Sequence, residues 1–307
     1  MLSDVPSPVV VGLGELLWDC FADGRRPGGA PANVAFQACQ LGCEGIVCSR
    51  VGRDPLGDEL VAFLASQGLK TDWVQRDREH PTGTVTVDAS QPDHPRYVIH
   101  ENVAWDHLEC GDATAALAGR AAAVCFGTLA QRCEASRAAI RRILASVGPQ
   151  CLVVYDVNLR QHFYDRQWIA TSLDRADVVK LNADEAAVLD RLMDWNAPDM
   201  RSFARKVQQT HGVATVCVTR AERGCLLAVG DDWVESPGVR VELSAGADAV
   251  GAGDAFTAAL IVGQLRRWPA AAQASFANAV GALVASRPGA MPPLRDAFAQ
   301  LLKTRPP

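Results

Sequence analysis

The sequence predicts an α/β protein built on a mostly parallel sheet, with a smaller antiparallel sheet inserted into it. Three observations lead there. Runs apolar at nearly every position recur at 8–13 (PVVVGL), 45–50 (GIVCSR), 121–126 (AAAVCF), 151–157 (CLVVYDV), 177–182 (DVVKLN) and 214–219 (ATVCVT), as strands covered on both faces do. Helical segments separate most of these runs and supply the crossovers that parallel strands need. Two stretches, 16–23 and 82–99, instead alternate with period two, as in Thr84-Val85-Thr86-Val87 and Tyr97-Val98-Ile99; that is the pattern of half-buried antiparallel strands.

Taken in order, the elements carry their own start and stop signals. A helix over 31–41 turns Val34, Ala38 and Leu41 inward and is closed by Gly42. Asp54 reads as an N-cap, with Pro55 at the first helical position and Gly68 marking the helix end. A turn-rich stretch, 88–95, separates the strands of the small sheet. The chain from Gly253 onward is mostly helical, over 255–265, 269–285 and 294–302. With no internal repeat or low-complexity linker, residues 1–307 read as one domain, with the small sheet, about 16–27 and 82–100, inserted in it.

Composition narrows the function. A chain of 307 residues, 49% apolar and 21% charged, can bury a large core. A net charge of −5 without a basic stripe gives nucleic acid little to bind to. No basic, apolar leader precedes Gly12 and no run of eighteen apolar residues occurs, so no membrane segment and a cytoplasmic location are expected. The ten cysteines form no C-x-x-C pair, and several lie in apolar runs; they read as buried, reduced thiols. Cys39 and Cys43 could share a helix face, but no second ligand pair accompanies them.

Two glycine-rich stretches run into helices. In Asp248-Ala249-Val250-Gly251-Ala252-Gly253-Asp254-Ala255-Phe256, small residues leave free amides at a helix start, an arrangement that binds anions. Asp254 beside that pocket could take a proton from an attacking hydroxyl, although an ordinary helix start stabilised by an acidic first turn also accounts for it. In Gly28-Gly29-Ala30-Pro31-Ala32-Asn33-Val34-Ala35, the glycines admit a ligand against the backbone and Asn33 could grip hydroxyls; a tight loop is the bland alternative. Neither stretch matches the P-loop pattern G-x-x-x-x-G-K-[ST].

Together, GGAPANVA near the start and DAVGAGDAF near the end resemble the two signatures of the ribokinase-like (PfkB) sugar kinases. Further matches lie between them in order: Asp156-Val157-Asn158-Leu159-Arg160, Asn182-Ala183-Asp184-Glu185 and Thr219-Arg220-Ala221-Glu222-Arg223-Gly224. Val157 stands where the family often has proline. The resemblance implies a three-layer αβα sandwich whose small sheet is a lid, and ATP-dependent transfer of phosphate to a sugar hydroxyl.

It also implies roles by position. Asp254 would be the general base, and the Gly251, Ala252 and Gly253 amides an anion hole. Asp19, Gly28, Gly29, Asn33 and Arg160 would bind substrate. Asn182 and Glu185 would hold Mg2+ through water near the ATP phosphates, while Thr219, Gly224 and Asn278 would line the nucleotide site. Asp248 with the carbonyls of Val250, Ala285 and Pro288 would surround a monovalent cation such as K+, and the lid would support a homodimer. Phosphoryl transfer needs chiefly positioning and charge neutralisation, which glycine amides, metal ligands and one base provide.

Gly14-Glu15-Leu16-Leu17-Trp18-Asp19, Pro31 and Val103-Ala104-Trp105-Asp106 look most like fructokinases, so fructose is the first substrate expected. Another sugar (2-keto-3-deoxygluconate, ribose or a nucleoside) comes next; Arg25, Arg26 and Arg96 beside the lid leave room for an anionic one. A non-catalytic sugar sensor on the same fold is the rival from another class, and a nicotinamide oxidoreductase a weaker one.

Overall fold

The computed structural model describes residues 6–88 and 96–304. Its strands are β1 (Val9–Leu13), β2 (Leu17–Phe21), β3 (Gly24–Gly28), β4 (Glu44–Gly52), β5 (Val74–Asp77), β6 (Gly83–Asp88), β7 (Arg96–Ile99), β8 (Ala123–Gly127), β9 (Leu152–Asp156), β10 (Val178–Asn182), β11 (Thr215–Thr219), β12 (Cys225–Val229) and β13 (Asp232–Ser236). Its helices are α1 (Ala30–Gln40), α2 (Pro55–Ser66), α3 (Asp112–Arg120), α4 (Glu134–Ala145), α5 (Arg166–Leu173), α6 (Ala183–Met193), α7 (Met200–His211), α8 (Ala252–Leu265), α9 (Ala270–Ala285) and α10 (Arg295–Lys303).

Nine strands form the main sheet in the order β13-β12-β11-β10-β9-β8-β1-β4-β5. It is parallel from β11 to β5 and ends in the antiparallel strands β12 and β13. The all-apolar runs are explained by the two faces they serve. Val9, Val11, Leu13, Val153, Tyr155, Val179 and Leu181 pack into one core, while Val10, Val154 and Val178 pack into the other, with α8 and α9. Because side chains alternate along a strand, both parities must be apolar when helices cover both faces.

The expected α1 and α2 boundaries are met within a residue or two. Asp54 caps α2 by accepting from the Gly57 amide at 2.8 Å. Pro31 lies in the first turn of α1, and Val34, Ala38 and Leu41 are buried. The β12–β13 hairpin at the sheet edge was not anticipated: its outer strand, DWVES, lacks an apolar run, although its inner strand, CLLAV, carries one.

The period-two stretches form a separate four-stranded sheet, β3-β2-β6-β7, in which β2 pairs antiparallel with β3 and parallel with β6. Most of the turn expected over 88–95 lies outside the described residues. All ten cysteines are free thiols. No described helix is long and apolar enough to cross a membrane.

Candidate active site

The predicted residues gather where parallel strands end, the edge at which open α/β sheets present ligands. β1 runs into Gly14 and Glu15, β9 ends at Asp156, β10 at Asn182 and β11 at Thr219. Opposite these ends lie the starts of α1 and α8.

α8 begins at Gly251, whose φ of 76° is left-handed; a Cβ there would stand 2.6 Å from Ala290 Cα. Only glycine meets both demands. Among the described residues, the amides of Gly251, Gly253 and Asp254 have no acceptor, whereas the Ala252 amide leans on the Ala249 carbonyl at 3.3 Å. Three amides are therefore open at the positive end of a 14-residue helix.

Asp254 lies in this first turn, partly open to solvent. Asn33 Nδ2 donates to its Oδ2 at 2.7 Å across 221 residues of sequence, joining the two glycine-led helices. Its Oδ1 carries no hydrogen bond from any described residue. Burial raises its pKa to about 6, and the Asp156 charge pushes the same way; Lys180, the Asn33 bond and Arg160 pull it back.

Asp19, on β2 of the small sheet, has its pKa raised to about 6 by burial, with Arg160 and Arg26 opposing. Gly28 leaves room for it, since a Cβ on Gly28 would lie 2.5 Å from Asp19 Oδ2. Gly29, with φ 113°, brings its backbone against the Glu15 carbonyl, to which a Cβ would approach within 2.4 Å. The exposed Arg160 bonds the Leu159 carbonyl at 3.0 Å, and its charge reaches Glu15, Asp19 and Asp254. The predicted sugar-side residues thus share one electrostatic neighbourhood with Asp254.

Asn182 and Glu185 form a reciprocal capping box at the start of α6: Asn182 Oδ1 accepts from the Glu185 amide at 2.9 Å, and Glu185 Oε2 from the Asn182 amide at 2.8 Å. Glu185 Oε1 accepts from the Leu159 amide at 2.9 Å. With both oxygens already bonded, the carboxylate suits a hydrated metal better than direct ligation. Thr219 is the register partner of Asn182 on the neighbouring strand.

Gly224 and Asn278 have structural duties. A Cβ on Gly224 would lie 2.1 Å from the Ser236 carbonyl, and Asn278 Nδ2 donates to the Ser236 hydroxyl and the Pro237 carbonyl, each at 3.1 Å. Asn278 fastens the end of β13 to α9, and Gly224 lets that end lie against the start of β12. Asp248 accepts from the Val250 amide at 3.0 Å and the Gly289 amide at 3.1 Å, and so draws the loop before α8 to the one after α9. Among the described residues, the Val250, Ala285 and Pro288 carbonyls accept no hydrogen bond.

Two features escaped the sequence reading. Glu15 is 3% exposed, its Oε2 has no hydrogen-bond partner among the described residues, and burial raises its pKa to about 7. Lys180, 7% exposed, lies on β10 with Nζ 3.1 Å from both oxygens of Asp156. A signal existed: Lys180 is the one charge inside the run VVKLN, and a buried charge must be paired.

The model of the pfkB family carbohydrate kinases matches residues 9–297. A fructokinase of Vibrio alginolyticus is 30% identical over 285 residues, covering 87% of this chain and 88% of its own. The crystal structure of an uncharacterized sugar kinase of Pyrococcus horikoshii in complex with ATP superposes with a TM-score of 0.80 at 27% identity, covering 95% of this chain and 97% of that one. With nearly its whole length matched, and with the glycine-led helix starts facing one another across Asn33 and Asp254, the chain belongs to the pfkB family of carbohydrate kinases.

Proposed function

We propose that this ATP-dependent sugar kinase phosphorylates fructose to fructose 6-phosphate, with Asp254 as general base. The observation that carries the reading is the placement of Asp254. Its Oδ2 is held by Asn33, and among the described residues its Oδ1 has no partner and three amides of the same helix start have no acceptor. Oδ1 takes the proton of the sugar hydroxyl as the hydroxyl oxygen bonds to the terminal phosphorus of ATP, whose bond to the β-phosphate oxygen breaks to release ADP. The Gly251 and Gly253 amides, helped by the Ala252 peptide once it leaves Ala249, receive the charge of the transferring group. A pKa near 6 keeps the base ionised at neutral pH while leaving it basic enough to act.

Asp19, Asn33 and Arg160 orient the sugar against the glycine backbone of 28–29, and the small sheet acts as a lid that keeps water from the phosphate. Thr219, Gly224 and Asn278 shape the nucleotide side, Gly224 and Asn278 by fixing the backbone there. Asn182 and Glu185 would hold magnesium through its water shell, where the ion would neutralise the ATP phosphates. Asp248 and the carbonyls of Val250, Ala285 and Pro288 would hold a monovalent cation that steadies the loop before α8. Two lids would meet in a homodimer, a reading supported by Val98, 53% exposed on the edge strand β7. A cytoplasmic location fits an enzyme fed by ATP.

The fructokinase name of the Vibrio alginolyticus relative supports the substrate. A second reading, an acidic sugar such as 2-keto-3-deoxygluconate, is favoured by Arg160 and Arg26 beside Asp19. ADP release across a panel of sugars and sugar acids decides between them. Fructose should give the highest kcat/KM; a sugar acid ahead of it by tenfold or more replaces the first reading with the second, and no turnover with any member overturns both.

A further inference from the structure

Lys180 and Asp156 are register partners on the neighbouring parallel strands β10 and β9. Strand alternation points both toward the face covered by α8, since Val178 and Val154, two residues earlier on each strand, pack into the core containing α8. Asp156 is 3% and Lys180 7% exposed, and Nζ lies 3.1 Å from each carboxylate oxygen. Thr257, fully buried on α8, places Oγ1 2.7 Å from Asp156 Oδ2 and 3.0 Å from the Gly253 carbonyl. A Cβ built on Gly253 would lie 3.1 Å from Lys180 Nζ. The ion pair therefore sits directly beneath the first turn of α8, and Thr257 ties it to the residue before Asp254.

A buried ion pair contributes little net stability compared with apolar side chains of the same size, so its position here calls for another explanation. We infer that Lys180 and Asp156 are positioning residues for phosphoryl transfer: the ammonium backs the open amides of the α8 start, and the two opposite charges lie fixed beneath Asp254. This rests on the reading of Asp254 as the base. Other groups act on Asp254 from the surrounding elements: Asn33 on α1, Arg160 after β9, Glu15 after β1 and the Cys125 thiol on β8. The pair differs in acting from below the helix, out of reach of solvent, where charge is least screened.

The two members pull on Asp254 in opposite directions: the Asp156 charge raises its pKa and the Lys180 charge lowers it. Removing each should therefore shift the pH–rate profile with opposite sign. In Lys180→Met, Asp254 holds its proton to higher pH, and the acid limb of kcat/KM moves up by about one pH unit. In Asp156→Asn, Asp254 gives up its proton sooner, and the limb moves down. The double variant Lys180→Met/Asp156→Asn leaves no unpaired buried charge, and its limb should fall between those of the single variants.

The test is the kcat/KM profile from pH 5 to 8.5 for wild type and the three variants, with circular dichroism and thermal melting to establish folding. Opposite displacements, with the double variant between, support the inference. Should Asp156→Asn not fold, a limb for Lys180→Met above that of the double variant carries the same support. Limbs that stay in place, or move together while kcat falls, overturn it and leave the pair a purely structural support. Failure of the underlying reading shows separately, as wild-type kcat in Asp254→Asn or no ADP release from wild type with any sugar.

Discussion

Two helices of this fold begin in the same way. α1 starts on Gly29 and α8 on Gly251, both with positive φ and without a side-chain cap, and both helix starts face the same site. What lies around them differs. The first turn of α1 has proline and no acidic residue, and it abuts the Glu15 backbone. The first turn of α8 carries Asp254 and rests on the Lys180–Asp156 pair. Both glycine-led starts turn backbone toward the site, but at α1 proline removes one amide and the Glu15 carboxylate meets the Ala30 amide, whereas at α8 three amides stay open among the described residues, with Asp254 beside them and the ion pair beneath.

The sharpest way to break this comparison is to remove one carboxylate from each side. Asp254→Asn keeps the shape and the Asn33 contact but removes the proposed base, and kcat should fall about 10²- to 10⁴-fold while sugar binding persists. On the proposed reading, Asp19→Ala removes a group that would hydrogen-bond the sugar in ground and transition states alike. It should act through KM, by about 10- to 150-fold for a charged hydrogen bond of about 1.5 to 3 kcal/mol. Steady-state kinetics with calorimetric sugar binding separates the two. If Asp19→Ala instead loses kcat at saturating sugar, the contrast between the helix starts is drawn wrongly.

A smaller effect comes from applying one lesion to both starts. Gly29→Ala and Gly251→Ala each force a Cβ into backbone, at 2.4 Å and 2.6 Å, with φ in the left-handed region, a strain of about 1 to 3 kcal/mol. The displaced backbone differs: near Asp19 in one case, at the open amides in the other. Gly29→Ala should raise the sugar KM about tenfold, and Gly251→Ala should lower kcat by a similar factor. The same kinetic signature from both would mean that the two starts are interchangeable supports.

How much of this was legible in sequence follows the range of the interactions. Strand runs such as CLVVYDV declare two buried faces through local composition, and the period-two stretches declared the small sheet. The two glycine motifs were legible as pieces, because a tight turn into a helix is local chemistry. That Asn33 reaches Asp254 over 221 residues, or that Lys180 finds Asp156 across a strand pair, is a tertiary fact that no local pattern encodes. Asn182 and Glu185 show the converse: the resemblance assigns them to a metal, their spacing alone fits a capping box, and the folded structure displays the cap. Of the β12–β13 hairpin, β13 was missed because its residues, DWVES, are mostly exposed or half-buried and show no apolar run, whereas β12, CLLAV, carried the run and was passed over.

The smallest prediction concerns stability, and its sign distinguishes a functional carboxylate from a structural one. Asp254 ionises near pH 6 in the folded protein but near 3.8 when unperturbed. A group that keeps its proton longer when folded makes folding less favourable as pH rises through that interval, and the loss is complete above the folded value. Other groups titrate nearby, and His107, whose pKa burial and the neighbouring His80 depress, drives stability the other way; the variant must therefore be compared with wild type at each pH. At pH 4, with the carboxyl largely protonated in the folded state, Asp254→Asn and wild type should melt together. By pH 7.5 the variant should melt higher by about 2–4 °C, having lost a carboxylate that folding holds at a cost. A variant that melts lower than wild type at pH 7.5 would mean that the Asp254 charge stabilises the fold, as an ordinary acidic residue in a helix first turn does, and the contrast between the two helix starts would lose its energetic basis.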